Sequence, residues 1–271
     1  MNRIDAKFAE LDSAGRKALV PFVTAGDPSL EATVPVMHAL VEAGADLLEL
    51  GVPFSDPMAD GPVIQRSSER ALSRGAGLGY VLDCVRTFRA RDAATPIMLM
   101  GYLNPIEIRG PEAFARDAGV AGVDGVLLVD LPPEEAGEIE GAFAAHGLAL
   151  IRLLAPTTPE ARIERVLAEA RGYLYYVSFA GVTGADALDP AAAGLRIAAL
   201  RARSPVPVLA GFGIKDAASA ARMAEQADGV VVGSALVATL AAAADPARAA
   251  GEFLAPLRAA LDASGPIRPL R

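Results

Sequence analysis

Two carboxylates, Glu49 and Asp60, are the residues whose type and spacing most strongly indicate catalysis. Glu49 lies inside a short apolar run at 47–50, where a charged group is costly unless it is paired or protonated. Gly51 ends the run, because glycine is a poor residue for the interior of a strand. Asp60 follows on a polar loop, before a helical pattern begins at Pro62. The stretch therefore predicts one carboxylate near the end of a strand and another on the loop just beyond it.

Each carboxylate has a structural interpretation as well as a catalytic one. Glu49 alone fits a structural group paired with a neighbouring strand, and Asp60 lies in Ala-Asp-Gly-Pro, which is typical of a turn. Together they fit a pair in different environments, one for acid–base chemistry and one for electrostatic stabilisation. Asp56, on the same loop, is interpreted as an organiser of the loop or a contact to a partner.

Three turns that contain glycine indicate a phosphate site. They are Ala180-Gly-Val-Thr-Gly184, Gly211-Phe-Gly213 and Gly233-Ser234. Glycine lets backbone N–H groups approach a ligand closely, and barrels often hold phosphate with the loops after strands seven and eight. With no arginine clamp evident, backbone amides and Ser234 would bind the anion. The alternative is that these glycines only form tight turns.

Four apolar side chains near the ends of different predicted strands could form a wall for a flat aromatic ligand. They are Phe22, Met100, Leu127 and Tyr175. Taken singly, each also fits the ordinary core of a barrel.

Residues for the other common kinds of chemistry are few: His38, His146, Cys84, Lys7, Lys17 and Lys215. Both histidines and the cysteine fall in helical stretches, which argues against a His-based metal site. None of the lysines lies late in a predicted strand, where a Schiff base would face a substrate. Of the kinds of chemistry considered, acid–base catalysis by carboxylates is the one that the sequence favours.

Composition limits the class of protein. The 271 residues are 52% hydrophobic, which is enough for a sizeable core, and no apolar run reaches the ~20 residues that span a membrane. The start of the chain does not read as a signal peptide, and a single cysteine cannot form an internal disulfide. We therefore expect a cytoplasmic protein. The net charge of -8 and the absence of a basic run argue against nucleic-acid binding.

The elements that must position these residues alternate along the chain. Apolar runs that predict strands recur eight times, at 18–23, 46–50, 97–101, 125–131, 148–154, 173–179, 206–210 and 229–232. Helical spacing is found at 2–12, from Pro62, and at 29–43, 78–91, 111–118, 133–146, 158–171, 189–202, 216–227 and 239–264.

This alternation predicts an α/β fold, a single (β/α)8 TIM barrel with an extra N-terminal helix, in one domain spanning 1–271. The alternative is an open doubly wound sheet. The first strand is followed by Thr-Ala-Gly-Asp at 24–27 and not by a glycine-rich dinucleotide turn, which favours the barrel.

A long motif at residues 48–65 reads Leu-Glu-Leu-Gly-Val-Pro-Phe-Ser-Asp-Pro-Met-Ala-Asp-Gly-Pro-Val-Ile-Gln. Five shorter motifs accompany it, at 21–28, 100–105, 129–132, 181–184 and 211–214. In these motifs, and in their order, the chain resembles the tryptophan synthase alpha chain family. The resemblance covers essentially the whole chain.

The resemblance implies a lyase that cleaves indole-3-glycerol phosphate to indole and glyceraldehyde 3-phosphate, a retro-aldol reaction late in tryptophan biosynthesis. It implies that Glu49 protonates C3 of the indole ring and takes the proton of the glycerol hydroxyl. It implies that Asp60 binds the indole N–H and stabilises positive charge there. Burial at an apolar strand end should raise the pKa of Glu49, whereas a polar loop should leave Asp60 ionised.

The resemblance also implies contacts to the substrate. The indole ring would pack against Phe22, Met100, Leu127 and Phe212, with Tyr175 beside Glu49. The phosphate would bind Gly184, Gly213, Gly233 and Ser234, and Thr183 would reach the carboxylates when its loop closes. Two residues depart from the family pattern, because Met100 replaces an expected leucine and Phe179 replaces a polar or small residue.

A partner is implied as well. The family pairs with a beta chain that carries pyridoxal phosphate, in an α2β2 heterotetramer, so no cofactor is expected in this chain. The matching contact regions are residues 53–58 and Asn104-Pro105. Two other functions remain open from the residues alone: a different phosphosugar enzyme such as an isomerase or epimerase, and a non-catalytic subunit that binds phosphate and regulates a partner.

Overall fold

Eight parallel strands close into a barrel in chain order, in a computed structural model that describes residues 2–177, 190–211 and 213–263. Each strand pairs with the next, and the eighth pairs with the first. The strands are β1 (Ala18–Thr24), β2 (Leu48–Gly51), β3 (Ile97–Gly101), β4 (Gly125–Leu128), β5 (Ala149–Leu154), β6 (Leu174–Tyr176), β7 (Val208–Ala210) and β8 (Gly229–Val232). The predicted barrel is confirmed, and the open sheet was the wrong alternative.

Helices surround the barrel and connect its strands. In the described residues they are α1 (Arg3–Ala14), α2 (Thr33–Glu42), α3 (Pro62–Ser73), α4 (Leu78–Arg89), α5 (Leu103–Arg109), α6 (Pro111–Ala121), α7 (Gly137–Ala145), α8 (Glu160–Glu169), α9 (Pro190–Arg203), α10 (Ala217–Ala224), α11 (Ser234–Ala242) and α12 (Pro246–Ala263). None of them is long and apolar enough to cross a membrane.

Three details of the helices differ from the sequence-based expectation. The helix expected to stop at Gly119 continues to Ala121, because Gly122 at φ 96° supplies the left-handed cap. The helix expected from Pro133 begins as a single 3₁₀ turn and becomes α-helical only at Gly137. The short helix α5 was not predicted, because seven residues are too few for a clear apolar period.

The extra N-terminal helix closes one end of the barrel. Asn2 caps α1 through its side chain, which accepts from the Ile4 N–H, and its amide also donates to the Asp124 carbonyl. Ile4 and Phe8 of α1 are buried in the same apolar cluster as the inward side chains of the strands. Because α1 closes this end, we expect ligands to enter from the opposite end, at the carboxyl ends of the strands.

Three buried aspartates stabilise the closed end. Asp46, Asp124 and Asp228 precede β2, β4 and β8, and one carboxylate oxygen of each accepts a backbone N–H from the neighbouring odd-numbered strand. The donors are Leu19, Ile97 and Val208, and the arginines paired with the aspartates are Arg258, Arg89 and Arg201. These three aspartates therefore have a structural role. Glu49 and Asp60, near the other end of the barrel, do not share it.

Candidate active site

Glu49 lies in β2 and points into the barrel. Leu47, two residues earlier on the same face, belongs to the inner apolar cluster. Glu49 is 0% exposed, and neither carboxyl oxygen has a hydrogen-bond partner among the described residues. The expected rise in pKa is present: burial, with a smaller contribution from the charge of Asp60, raises the pKa of Glu49 to about 8. The group is therefore mostly protonated at neutral pH.

A structural carboxylate paired with a neighbouring strand was the alternative interpretation of Glu49. The described part of the chain contains no such partner for it. An unpaired buried acid is costly for the fold, so its presence favours a functional role.

Asp60 lies on the loop between β2 and α3 and faces the same opening. Its backbone is fixed by two hydrogen bonds, from its own N–H to the Pro57 carbonyl and from Gln65 Nε2 to its carbonyl at 2.8 Å. Tyr102 Oη donates to Asp60 Oδ2 at 3.0 Å. A residue that only forms a turn needs the backbone hydrogen bonds, whereas Asp60 also has a hydrogen bond to its carboxylate.

The environment of Asp60 differs from the expectation of a polar loop. Burial raises the pKa of Asp60 to about 6, and the hydrogen bond from Tyr102 acts in the opposite direction. Asp60 is still mostly ionised at neutral pH, but its pKa lies closer to 7 than the polar composition of the loop indicated. Since the pKa of Glu49 is about 8, neutral pH favours one protonated and one ionised carboxyl group.

An open cavity lies beside Asp60, at the carboxyl ends of β1, β2 and β3. Its volume is about 260 Å³ when the solvent at its mouth is included, and its lining includes Phe22, Asp60, Met100 and Tyr102. Phe22 is the register partner of Glu49 on the neighbouring strand. Its ring lies over Gly51, where a Cβ atom would be only 2.6 Å from Phe22 Cζ. The cavity therefore combines an apolar wall with a carboxylate at its edge.

The apolar residues expected to contact a ring have different positions. Phe22 and Met100 line the cavity, whereas Leu127 is buried in the inner cluster and pairs in register with Met100. Tyr175 packs against the same cluster, and burial together with the charges of Glu49 and Asp60 raises its pKa well above the usual value. Tyr175 therefore lies near both acids as a neutral phenol.

Gly211 makes room for the Tyr175 phenol. A Cβ atom at position 211 would overlap the tyrosine hydroxyl and would lie 2.6 Å from Tyr175 Cε1. Gly211 follows β7 directly, and its N–H donates to the Tyr176 carbonyl of β6 at 3.1 Å. The absence of a side chain at this position therefore fixes where the Tyr175 ring can lie.

Of the residues expected to bind phosphate, the structure describes Gly213, Gly233 and Ser234. Ser234 is the first residue of α11, Gly233 precedes it, and a Cβ atom at Gly233 would lie 3.6 Å from Phe22 Cβ. Gly213 adopts the left-handed φ of 67°. The N-terminus of α11, which favours anions, is therefore next to the apolar wall. Thr183, Gly184 and Phe212, and also Phe179, lie outside the described residues.

Tyr102 is the residue of this site that reasoning from the sequence missed. It follows β3 directly and contacts Asp60, whereas in the sequence it is only one residue of the motif at 100–105. The sequence could have indicated it, because Tyr102 follows the predicted strand at 97–101 and residues just after a strand face the ligand side of a barrel.

Comparisons with known proteins show which family the chain is similar to. A sequence model described as "Tryptophan synthase alpha chain" matches residues 8–261. The chain is 69% identical over 267 residues to the tryptophan synthase alpha chain of Xanthomonas oryzae pv. oryzae strain PXO99A, covering 97% of this chain and 99% of that protein. The relative from Xanthomonas campestris pv. campestris strain B100, also a tryptophan synthase alpha chain, is 68% identical over 97% of this chain and 98% of its own length.

Solved structures give the same result. The crystal structure of tryptophan synthase subunit alpha from Legionella pneumophila str. Paris matches with a TM-score of 0.92 at 48% identity, covering 97% of this chain and 99% of that one. The aminoacrylate-bound form of tryptophan synthase from M. tuberculosis matches with a TM-score of 0.86 at 34% identity, covering 96% and 100%.

Proposed function

The chain belongs to the tryptophan synthase alpha chain family, and on that premise we propose which of its residues carry out the reaction of the family. It is a lyase that cleaves indole-3-glycerol phosphate to indole and glyceraldehyde 3-phosphate in tryptophan biosynthesis. We assign catalysis to Glu49 and Asp60. The observation that supports this most directly is the complete burial of Glu49 without a hydrogen-bond partner in the described residues, within electrostatic reach of Asp60.

Glu49 acts first as an acid and then as a base. With its pKa raised to about 8, its carboxyl group holds a proton at neutral pH and can give it to C3 of the indole ring. The resulting carboxylate takes the proton of the glycerol hydroxyl next to the bond that breaks. The electron pair of that bond returns to the ring as indole forms, and the oxygen becomes the aldehyde of glyceraldehyde 3-phosphate. Glu49 regains its proton, so the step is balanced.

Asp60 acts through its charge. Protonation of C3 makes the ring nitrogen positive, and an ionised carboxylate that accepts the indole N–H stabilises that charge. The pKa of Asp60, raised only to about 6, leaves it ionised while Glu49 is protonated. The different positions of the two acids, one inside a strand and one on a partly open loop, therefore match their different roles.

Substrate binding is assigned to the other residues that the resemblance to the family implies. Phe22, Met100, Leu127, Tyr175 and Phe212 hold the indole ring, and the backbone at Gly184, Gly213, Gly233 and Ser234 holds the phosphate, with Thr183 closing over the acids. The proximity of Gly233 to Phe22 supports this division, because the proposed phosphate and indole regions would then adjoin each other. We also propose that residues 1–271 act as one domain with no cofactor of their own.

The family pairs with a beta chain, and we propose an α2β2 assembly in which the beta chain carries pyridoxal phosphate. We assign the contact to residues 53–58 and to Asn104-Pro105. Exposed apolar side chains support this surface, since Met58 is 84% exposed on the loop and Ile108 is 81% exposed on α5. We propose a cytoplasmic location, in keeping with the biosynthetic role.

We expect the rate of indole release to have a bell-shaped dependence on pH. Below pH 6 Asp60 gains a proton and loses the charge that stabilises the ring, whereas above pH 8 Glu49 loses the proton that C3 needs. The measurement is kcat/KM for indole-3-glycerol phosphate from about pH 5 to 9. A rate that rose steadily through pH 8 would contradict a protonated Glu49.

Gly211→Ala should lower the rate by displacing Tyr175. The added methyl overlaps the phenol, and a displacement of about 1 Å in an active site reduces the rate by roughly 100-fold. The control is Gly141→Ala on α7, where a Cβ atom meets no atom of the described residues within 4 Å, so its rate should not change. An unchanged rate in Gly211→Ala would show that the position of Tyr175 is unimportant for cleavage.

A further inference from the structure

Tyr102 connects the Asp60 loop to the barrel. It lies between the end of β3 and the start of α5 and is only 5% exposed. Its hydroxyl donates to Asp60 Oδ2 at 3.0 Å and accepts the N–H of Ala59 at 3.0 Å. Its ring stacks on Phe54, with the ring centroids 5.1 Å apart. One side chain therefore fixes the two ends of the loop, at Phe54 and at Asp60.

The middle of the same loop has few attachments. Ser55, Asp56, Met58 and Ala59 are exposed, and among the described residues the hydroxyl of Ser55 donates to its neighbour Asp56 alone. Without the Tyr102 hydroxyl, the Asp60 carboxylate would be free to turn toward solvent. The contact therefore holds the Asp60 carboxylate in the observed orientation.

The charge of Asp60 depends on the groups that face it. Glu49 from β2 and Tyr175 from β6 interact electrostatically with it, and Tyr102 faces it from the end of β3. Within the described residues, the Tyr102 hydroxyl is the side-chain donor to its carboxylate. Burial, and then the charges of Asp60 and Asp130, raise the pKa of Tyr102 above its usual value, so this group remains a donor.

We propose that Tyr102 is a positioning residue for the cleavage reaction: its hydroxyl holds the Asp60 carboxylate toward the indole nitrogen and keeps it ionised, while Glu49 keeps the proton. The inference rests on the proposed role of Asp60. Tyr102 itself exchanges no proton with the substrate and acts only through Asp60.

The test is Tyr102→Phe, which keeps the ring that stacks on Phe54 and removes only the hydroxyl. A hydrogen bond to a charged group is lost, so kcat should fall roughly tenfold and the acidic limb of the pH profile should move up by about one unit. KM should change by no more than about threefold, since the Tyr102 ring that lines the cavity is kept. A purely structural residue would not move the acidic limb.

The matched control is Tyr80→Phe on α4. The Tyr80 hydroxyl also makes two hydrogen bonds, to the Leu30 carbonyl at 2.6 Å and to Thr33 Oγ1 at 2.8 Å, but it does not contact either acid. Thermal unfolding of both variants measures the loss of stability that they share. Only Tyr102→Phe should change kcat and the pH profile.

Asp60→Asn separates the two proposals. If Asp60→Asn lowers kcat and Tyr102→Phe has no further effect in that background, Tyr102 acts through Asp60. If Asp60→Asn lowers kcat but Tyr102→Phe alone leaves kcat and the profile unchanged, the positioning role is wrong and the catalytic assignment stands. If Asp60→Asn is fully active, the catalytic assignment fails, and the positioning role fails with it.

Discussion

Replacing Glu49 with glutamine is expected to reduce indole release by roughly 1,000-fold or more, because proton transfer by a positioned side chain contributes 10²–10⁴. Glutamine has nearly the same shape, yet it can neither give a proton to C3 nor take one from the glycerol hydroxyl. Binding of the substrate should change little, since the contacts proposed for the ring and the phosphate are made by other residues. The measurement is single-turnover cleavage by the purified variant, and a rate near that of the wild type would refute the assignment.

The same substitution should stabilise the fold at neutral pH. The pKa of Glu49 is raised from its ordinary 4.5 to about 8, so between these values the unfolded chain releases the proton and the folded chain keeps it. Below pH 4.5 both states are protonated and the penalty disappears, whereas at pH 7 it reaches roughly 3 kcal/mol. Glu49→Gln removes the penalty, because glutamine does not ionise.

Urea unfolding at about pH 5 and pH 7 tests this expectation. The free energy of unfolding of Glu49→Gln should exceed that of the wild type by more at pH 7 than at pH 5. The control is Glu10→Gln on α1, whose carboxylate is 61% exposed and pairs with Lys7, so its effect should be within about 0.5 kcal/mol at both pH values. Equal stability of Glu49→Gln and the wild type at both pH values would mean that Glu49 is not a strained, protonated acid.

The positions of the strands and the raised pKa of Glu49 could be predicted from the sequence. Strands buried on both faces read as continuous apolar runs, so their positions could be predicted within a few residues. A carboxylate inside such a run must have a raised pKa or a partner, and the expectation of a raised pKa agrees with the burial of Glu49. Both inferences depend on local composition, which a single sequence contains.

Features that depend on contacts between distant residues could not be predicted. The pKa of Asp60 follows from burial by neighbours and from Tyr102, a residue 42 positions away in the chain, rather than from the polar residues beside it. The place of the Tyr175 ring depends on the missing side chain at Gly211, which follows a different strand. The short helix α5 is formed from too few residues to show a period.

Asp60→Asn is the second large effect that we expect, a loss of roughly 100-fold in kcat, as found when one group that stabilises charge in a transition state is removed. Asparagine keeps the size of the side chain and can still accept the indole N–H through its oxygen. It carries no charge, so the positive ring nitrogen formed on protonation of C3 loses its counter-charge. KM should change much less than kcat, because the charge develops only in the transition state.

The matched control for this loss is Asp56→Asn, on the same loop. Asp56 is exposed and accepts a hydrogen bond from Ser55, so in the isolated chain its replacement should leave kcat unchanged. The pH profile gives a second readout: Asp60→Asn should lack the acidic limb near pH 6 and keep the alkaline limb that belongs to Glu49. If the acidic limb persisted in Asp60→Asn, another group would be responsible for it, and Asp60 would be a loop residue whose carboxylate serves only to bind Tyr102.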